Sequence, residues 1–70
     1  MTIKTIPRRA SWPAWARWYA VDEDGLRCVF DHMPRLEVPF YGCQSWHASR
    51  HVIVGDKWMR DWRSSLRKIV

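Results

Sequence analysis

Residues 14–32 read AWARWYAVDEDGLRCVFDH, and the four letters DEDG in their middle decide how the rest is read. Two alternating runs flank a short acidic, glycine-ended stretch, which is the signature of a β-hairpin. Gly25 suits the left-handed position of a type I turn followed by a one-residue bulge. That turn sets Asp22 opposite Leu26. The register then pairs Ala20 with Cys28, Trp18 with Phe30 and Ala16 with His32 on one face. The other face pairs Val21 with Arg27, Tyr19 with Val29 and Arg17 with Asp31. The first set is apolar and the second carries an opposite-charge pair, so a slip of one residue would mix the two. Trp18 against Phe30 is the expected centre of the core.

The flanking sequence is assigned by its breakers and its spacing. Pro7, Pro13, Pro34 and Pro39 exclude a long helix from the first forty residues. Residues 1–13 are expected to form an extended arm, with Ile3 and Ile6 as its anchors. Residues 33–45 read as a loop in which FYG (40–42) could hold a short edge strand. WHASRHVIV (46–54) alternates as a third strand, with Val52, Ile53 and Val54 its most buried part. Asp56 is a suitable helix N-cap, and Trp58, Trp62, Leu66 and Ile69 then recur at helical spacing. The spacing predicts a helix over 57–68 with Arg60, Arg63 and Arg67 on a second face. The expected architecture is α+β: one domain of 70 residues, with a three- or four-stranded antiparallel sheet over 14–54 and one C-terminal helix packed on it.

A chain this short is marginal unless something reinforces it. Six Trp, two Tyr and two Phe supply one reinforcement, since each large ring can bury about 150–250 Å². Oligomerisation stays open as another. Two cysteines make no disulfide scaffold, and the opening TIKTIPRR lacks the apolar run of a secretory signal. No stretch approaches a membrane span. The expectation is a soluble cytoplasmic protein with reduced thiols.

Charge is uneven. The net formal charge is +5. Residues 1–21 hold Lys4, Arg8, Arg9 and Arg17 without an acid, whereas 22–31 are acidic. Residues 56–70 return to a basic balance through Lys57, Arg60, Arg63, Arg67 and Lys68. Basic ends of this kind suit an acidic protein surface or a phosphate backbone.

The motifs of catalysis and metal binding fail on geometry. Cys28, His32, Cys43, His47 and His51 are zinc-type residues in C-x3-H and C-x3-H-x3-H spacing. On strands, however, residues four apart stand roughly 13 Å apart and cannot share an ion. No metal is expected. DEDG lacks the later glycine and the downstream glutamate of a calcium loop. No serine lies in a nucleophile elbow, and three glycines build no phosphate loop. Cys43 and His47 could be drawn as a nucleophile pair, as in many short proteins. The chain reads as a non-enzyme without cofactor.

What remains is aromatic and arginine residues together. Trp12, Trp15, Tyr19 and Tyr41 are not required by the hairpin core, and with Arg8, Arg9 and Arg17 they could form an exposed patch. Such residues anchor protein interfaces, and they also stack on bases and neutralise phosphates. The competing reading is that Trp12 and Trp15 fold back over the open side of a thin sheet.

The W-P-x-W-A opening, the aromatic hairpin around D-x-D-G and the D-W-x-x-S-L ending resemble a class of short, Trp-rich, bacteriophage-encoded accessory proteins. The resemblance covers 12–34 and 61–66. It implies a phage origin, life in the host bacterial cytoplasm and, by analogy, binding of a host protein such as a component of bacterial defence. The first expectation is therefore a non-enzymatic binder of a host protein through Trp12, Trp15, Arg17, Tyr19 and Tyr41. The alternative is a nucleic-acid-binding module using Arg60, Arg63, Arg67 and Lys68 with the basic arm, Arg8 and Arg9. A third is capture of a nucleotide signal by Trp and Arg.

Overall fold

A computed structural model describes residues 3–37 and 45–70. Its centre is the expected hairpin. Strands β2 (Trp18–Val21) and β3 (Leu26–Phe30) pair as Trp18 with Phe30, Tyr19 with Val29, Ala20 with Cys28 and Val21 with Arg27. Asp22 N donates to Leu26 O and Gly25 N to Asp22 O, both at 2.9 Å, and Gly25 takes a φ of 90°. That angle lies in the left-handed region, where a Cβ would strain the turn.

The architecture beyond the hairpin differs from the expected α+β fold. Seven strands are present among the described residues and no α-helix. The main sheet runs β1-β7-β2-β3-β6, where β1 is Thr5–Ile6, β6 is His51–Asp56 and β7 is Arg67–Ile69. β1 lies parallel to β7 and all other pairs are antiparallel, so the sheet is mixed. A separate ribbon joins β4 (Arg35–Glu37) to β5 (Ser45–His47).

The predicted helix over 57–68 is replaced by a single 3-10 turn, Trp62–Ser64, and by β7. Two causes combine. Trp, Asp and Ser are weak helix formers, and an isolated helix of twelve residues is marginal in water. Ser65 meanwhile spends its hydroxyl on the backbone of β2 and of the 3-10 turn, accepting Val21 N–H at 2.8 Å and donating to Trp62 O. The far edge of β2 needs a partner, and β7 supplies one by pairing Lys68 with Trp18 and Arg67 with Tyr19. The helical stripe therefore dissolves. Trp62 and Ile69 are buried and Leu66 is half-buried, but Trp58 is 75% exposed.

The expected third strand over 46–54 is also divided. Asp31 accepts Ser49 Oγ at 2.8 Å and Arg50 N–H at 3.1 Å, which fixes a bend between β5 and β6. β5 then goes to β4 and β6 to β3. β6 is the outer strand, so Val52 and Ile53 are exposed and not the buried centre expected; Val54 is half-buried. Arg27 faces Gly55 while Cys28 faces Ile53, leaving Val54 as an extra residue at a bulge. FYG (40–42), Tyr41 and Cys43 lie outside the described residues.

Both faces of the hairpin are covered, which accounts for the aromatic content. On one face Trp12, Ala16, Val29 and Ile69 are buried together with Ile6, Trp15, Tyr19 and Val54 against them. On the other, Ala20, Cys28 and Phe30 are covered by Trp46, Ala48 and Leu66. The first cover comes from the N-terminal segment, which is not an extended arm throughout. After β1 it turns back through Trp12 N to Arg9 O and Ala16 N to Pro13 O. The second cover is tied down by Trp46, whose backbone N–H donates to Asp22 Oδ1 at 2.9 Å and whose indole donates to Val21 O at 3.1 Å.

A candidate cationic groove on an aromatic ladder

Trp12 and Tyr19 stack with their ring centroids 5.9 Å apart and their planes within 17°. Each ring carries a guanidinium on its other contacts. Arg9 lies 6.0 Å from the Trp12 centroid and Arg27 lies 5.6 Å from that of Tyr19. Arg27 Nε also donates to the Tyr19 hydroxyl at 2.9 Å. The result is a ladder of arginine, tryptophan, tyrosine and arginine in which each cation rests near a π face. Across the hairpin, Tyr19 and Arg27 are diagonal neighbours on one face, so the register brings them together.

These residues line an open groove of about 360 Å³, completed by Ile6, Pro7 and Lys57. Among the described residues three cations line it and no carboxylate does. Among the described residues no ion pair joins Arg9, Arg27 or Lys57 to an acid. Gly55 contributes by what it lacks. A Cβ there would stand 3.3 Å from the Arg27 guanidinium, which therefore lies directly against the glycine. Like charges left together without a counter-charge repel, and an anionic ligand would relieve that repulsion.

The residues expected to contact a partner are distributed differently. Trp12 is 8% exposed and belongs to the core, as the fold-back reading had it. Trp15 is half-buried with the Arg50 guanidinium 5.3 Å from its centroid. Arg17 is exposed. Arg8 is half-buried and structural: its guanidinium donates to Pro13 O and Ala16 O, holding the turned-back segment. With no helix, Arg60, Arg63 and Arg67 do not form one face. Arg60 and Arg63 border a depression over Trp62, and Arg63 and Arg67 border a second groove with Lys4. Lys68 is exposed on β7. Sequence reasoning missed Arg27 and Lys57, and it assigned Trp58 to the core. The diagonal of Tyr19 and Arg27 was available from the register; the approach of Lys57 was not.

A second polar cluster lies at the far end of the hairpin. His32 Nδ1 is 3.0 Å from Asp31 Oδ2 and 3.4 Å from Ser49 Oγ. The expectation that Asp31 faces away from His32 fails because β3 ends at Phe30 and the chain bends there. The Asp31 carboxyl lies below its usual range: burial pushes it up, but bonds from Ser49, Arg50 N–H and His32 outweigh that. A catalytic relay needs the acid on one imidazole nitrogen and the hydroxyl on the other. Here both meet the same nitrogen, so the cluster staples two bends. Among the described residues no group of three His, Cys, Asp or Glu could hold a metal, and no helix is long and apolar enough to cross a membrane. Comparison with known proteins finds no family model, no characterised protein and no solved structure that matches the chain.

Proposed function

We propose that this chain is a small, non-enzymatic nucleic-acid-binding module that holds phosphates in the groove of Arg9, Arg27 and Lys57. One observation carries the reading: among the described residues three cations and no carboxylate line one groove, two of the cations held against stacked rings. The aromatic residues first assigned to a protein partner are largely engaged in packing, which leaves the cationic groove as the more developed surface. The resemblance to phage accessory proteins supports a setting in the host bacterial cytoplasm.

The test is binding of a labelled oligonucleotide followed by fluorescence anisotropy across a salt series. Three phosphate contacts give a slope of log K against log salt of about −2 to −3. Arg9→Glu with Lys57→Glu should reverse two of the three charges and reduce affinity at least tenfold. Salt-independent binding, or unchanged binding by the double variant, refutes the proposal.

A host-protein partner is the second reading, favoured by the outer strand β6. Its Val52 and Ile53 are 39% and 55% exposed at the edge of the main sheet, a surface suited to strand addition. Capture of the same host protein from lysate with and without nuclease favours this reading; capture lost on nuclease treatment favours the first.

A further inference from the structure

The segment joining β6 to β7 leaves the first groove at Lys57 and arrives beside the second. It crosses the hairpin end of the main sheet and is pinned there at both ends. Lys57 N donates to Gly25 O at 2.7 Å, and Ser65 Oγ accepts Val21 N–H. A Cβ on Gly25 would stand only 3.3 Å from the Trp58 backbone, so the crossing is close. The second groove, of about 390 Å³, has Lys4, Arg63 and Arg67 around Ile3, Trp46 and Leu66, with the Arg67 guanidinium also donating to Ser64 O and Leu66 O.

Trp58 stands on this segment, immediately after Lys57 of the first groove and before Arg63 of the second in the chain. Its ring is 75% exposed, whereas Trp12 and Trp62 are buried. Exposure of so large an apolar ring contributes little to the fold, and its backbone is held in place. An exposed aromatic face that follows directly on a groove cation, Lys57, is a surface on which an unpaired base can stack.

We infer that the ligand is a single strand, held by its phosphates in the first groove and continued over the crossing segment toward the second, with a base stacked on Trp58 between them. This deepens the nucleic-acid reading and rests on it. A duplex keeps its base faces stacked on one another and offers none to Trp58. The molecule measures only 33 × 24 × 20 Å along its principal axes. That favours a footprint near the short end of the roughly 4–16 nucleotides that single-strand-binding domains cover.

The experiment compares labelled oligothymidylates of graded length with a mixed-sequence duplex at one salt concentration, using the parent, Trp58→Ala, Trp58→Phe and Lys4→Glu. The parent should prefer the single strand, with affinity levelling off at about 4–6 nucleotides. Trp58→Ala should weaken single-strand binding about tenfold or more, leave duplex binding and the melting temperature unchanged, and be largely rescued by Trp58→Phe. Lys4→Glu should weaken the longer strands and spare the shortest. Equal single-strand affinity for Trp58→Ala and the parent, or preference for the duplex, overturns the inference. If binding persists in those cases and is still lost in Arg9→Glu with Lys57→Glu, the nucleic-acid reading survives without it. Absence of binding to any oligonucleotide overturns both.

Discussion

Replacing Trp12 with alanine would remove the roof of one half of the core. The indole is 8% exposed and packs with Ala16, Val29 and Ile69, and its ring stacks on Tyr19. A buried Trp→Ala change costs about 3–5 kcal/mol. The stacked pair adds about 0.5–1.5 kcal/mol beyond its area. A domain of 70 residues has a total stability of roughly 3.5–10 kcal/mol at 0.05–0.15 kcal/mol per residue. The loss is therefore comparable with the whole. At about 4–8 °C per kcal/mol, the melting temperature should fall by at least about 12 °C. Thermal and urea unfolding followed by near-ultraviolet circular dichroism measure this directly. Trp58→Ala is the control, and its exposed ring should cost no more than about 0.5 kcal/mol. If Trp12→Ala melts within about 5 °C of the parent, the turned-back segment does not cover the sheet and the ladder built on it is wrong.

Ser65 is 2% exposed and its hydroxyl serves Val21 N–H, so Ser65→Ala leaves a buried donor unpaired and should cost about 1–3 kcal/mol in urea unfolding. Burial first, then the Asp22 and Asp24 carboxylates, push the Cys28 thiol from an ordinary 9.0 to about 11. The folded chain therefore keeps a proton that the unfolded chain has released, and stability should decline as pH rises from about 9 through 11. Urea midpoints at pH 8 and pH 10.5 test this, and the folded thiol should react slowly with a thiol reagent at pH 8. Asp31 has the opposite sign: its lowered carboxyl contributes stability above its unfolded value that is lost on acidification, so Asp31→Asn should flatten the acid side of the stability profile.

The hairpin could be read because its information is local. A period of two, a glycine at the turn and one oppositely charged pair select a single register, and each pairing of β2 with β3 follows. The C-terminal segment could not be read that way. Trp58, Trp62, Leu66 and Ile69 have helical spacing, yet the same spacing arises when a 3-10 turn feeds a short strand. What decides between them is the open edge of β2, nearly fifty residues earlier, and no window of sequence contains both. The parallel contact of β1 with β7 is non-local in the same sense. The site divides likewise. Arg9, Trp12 and Tyr19 lie within eleven residues and were grouped from sequence. Lys57 joins them through the non-local pairing of β6 with β3 and its hydrogen bond to Gly25.

The ladder makes folding and binding share residues, and this limits which variants are informative. Arg9 and Arg27 are positioned by Trp12 and Tyr19, and those rings also close the core. Loss of binding after Trp12→Ala would therefore report unfolding and say nothing of the ligand. A combined Trp12→Ala and Trp15→Ala variant, the natural choice if both rings were exposed contacts, is uninformative for the same reason. Lys57 and Trp58 differ: their side chains are exposed, and only their backbone is tied to the hairpin. Lys57 also faces two other cations, so its replacement by alanine should leave stability unchanged or slightly raised while weakening an anionic ligand. Opposed effects on stability and binding are the mark of a charge kept for a ligand and not for the fold. If Lys57→Ala instead destabilises the domain by more than about 1 kcal/mol, the groove is a packing feature and its charges are incidental.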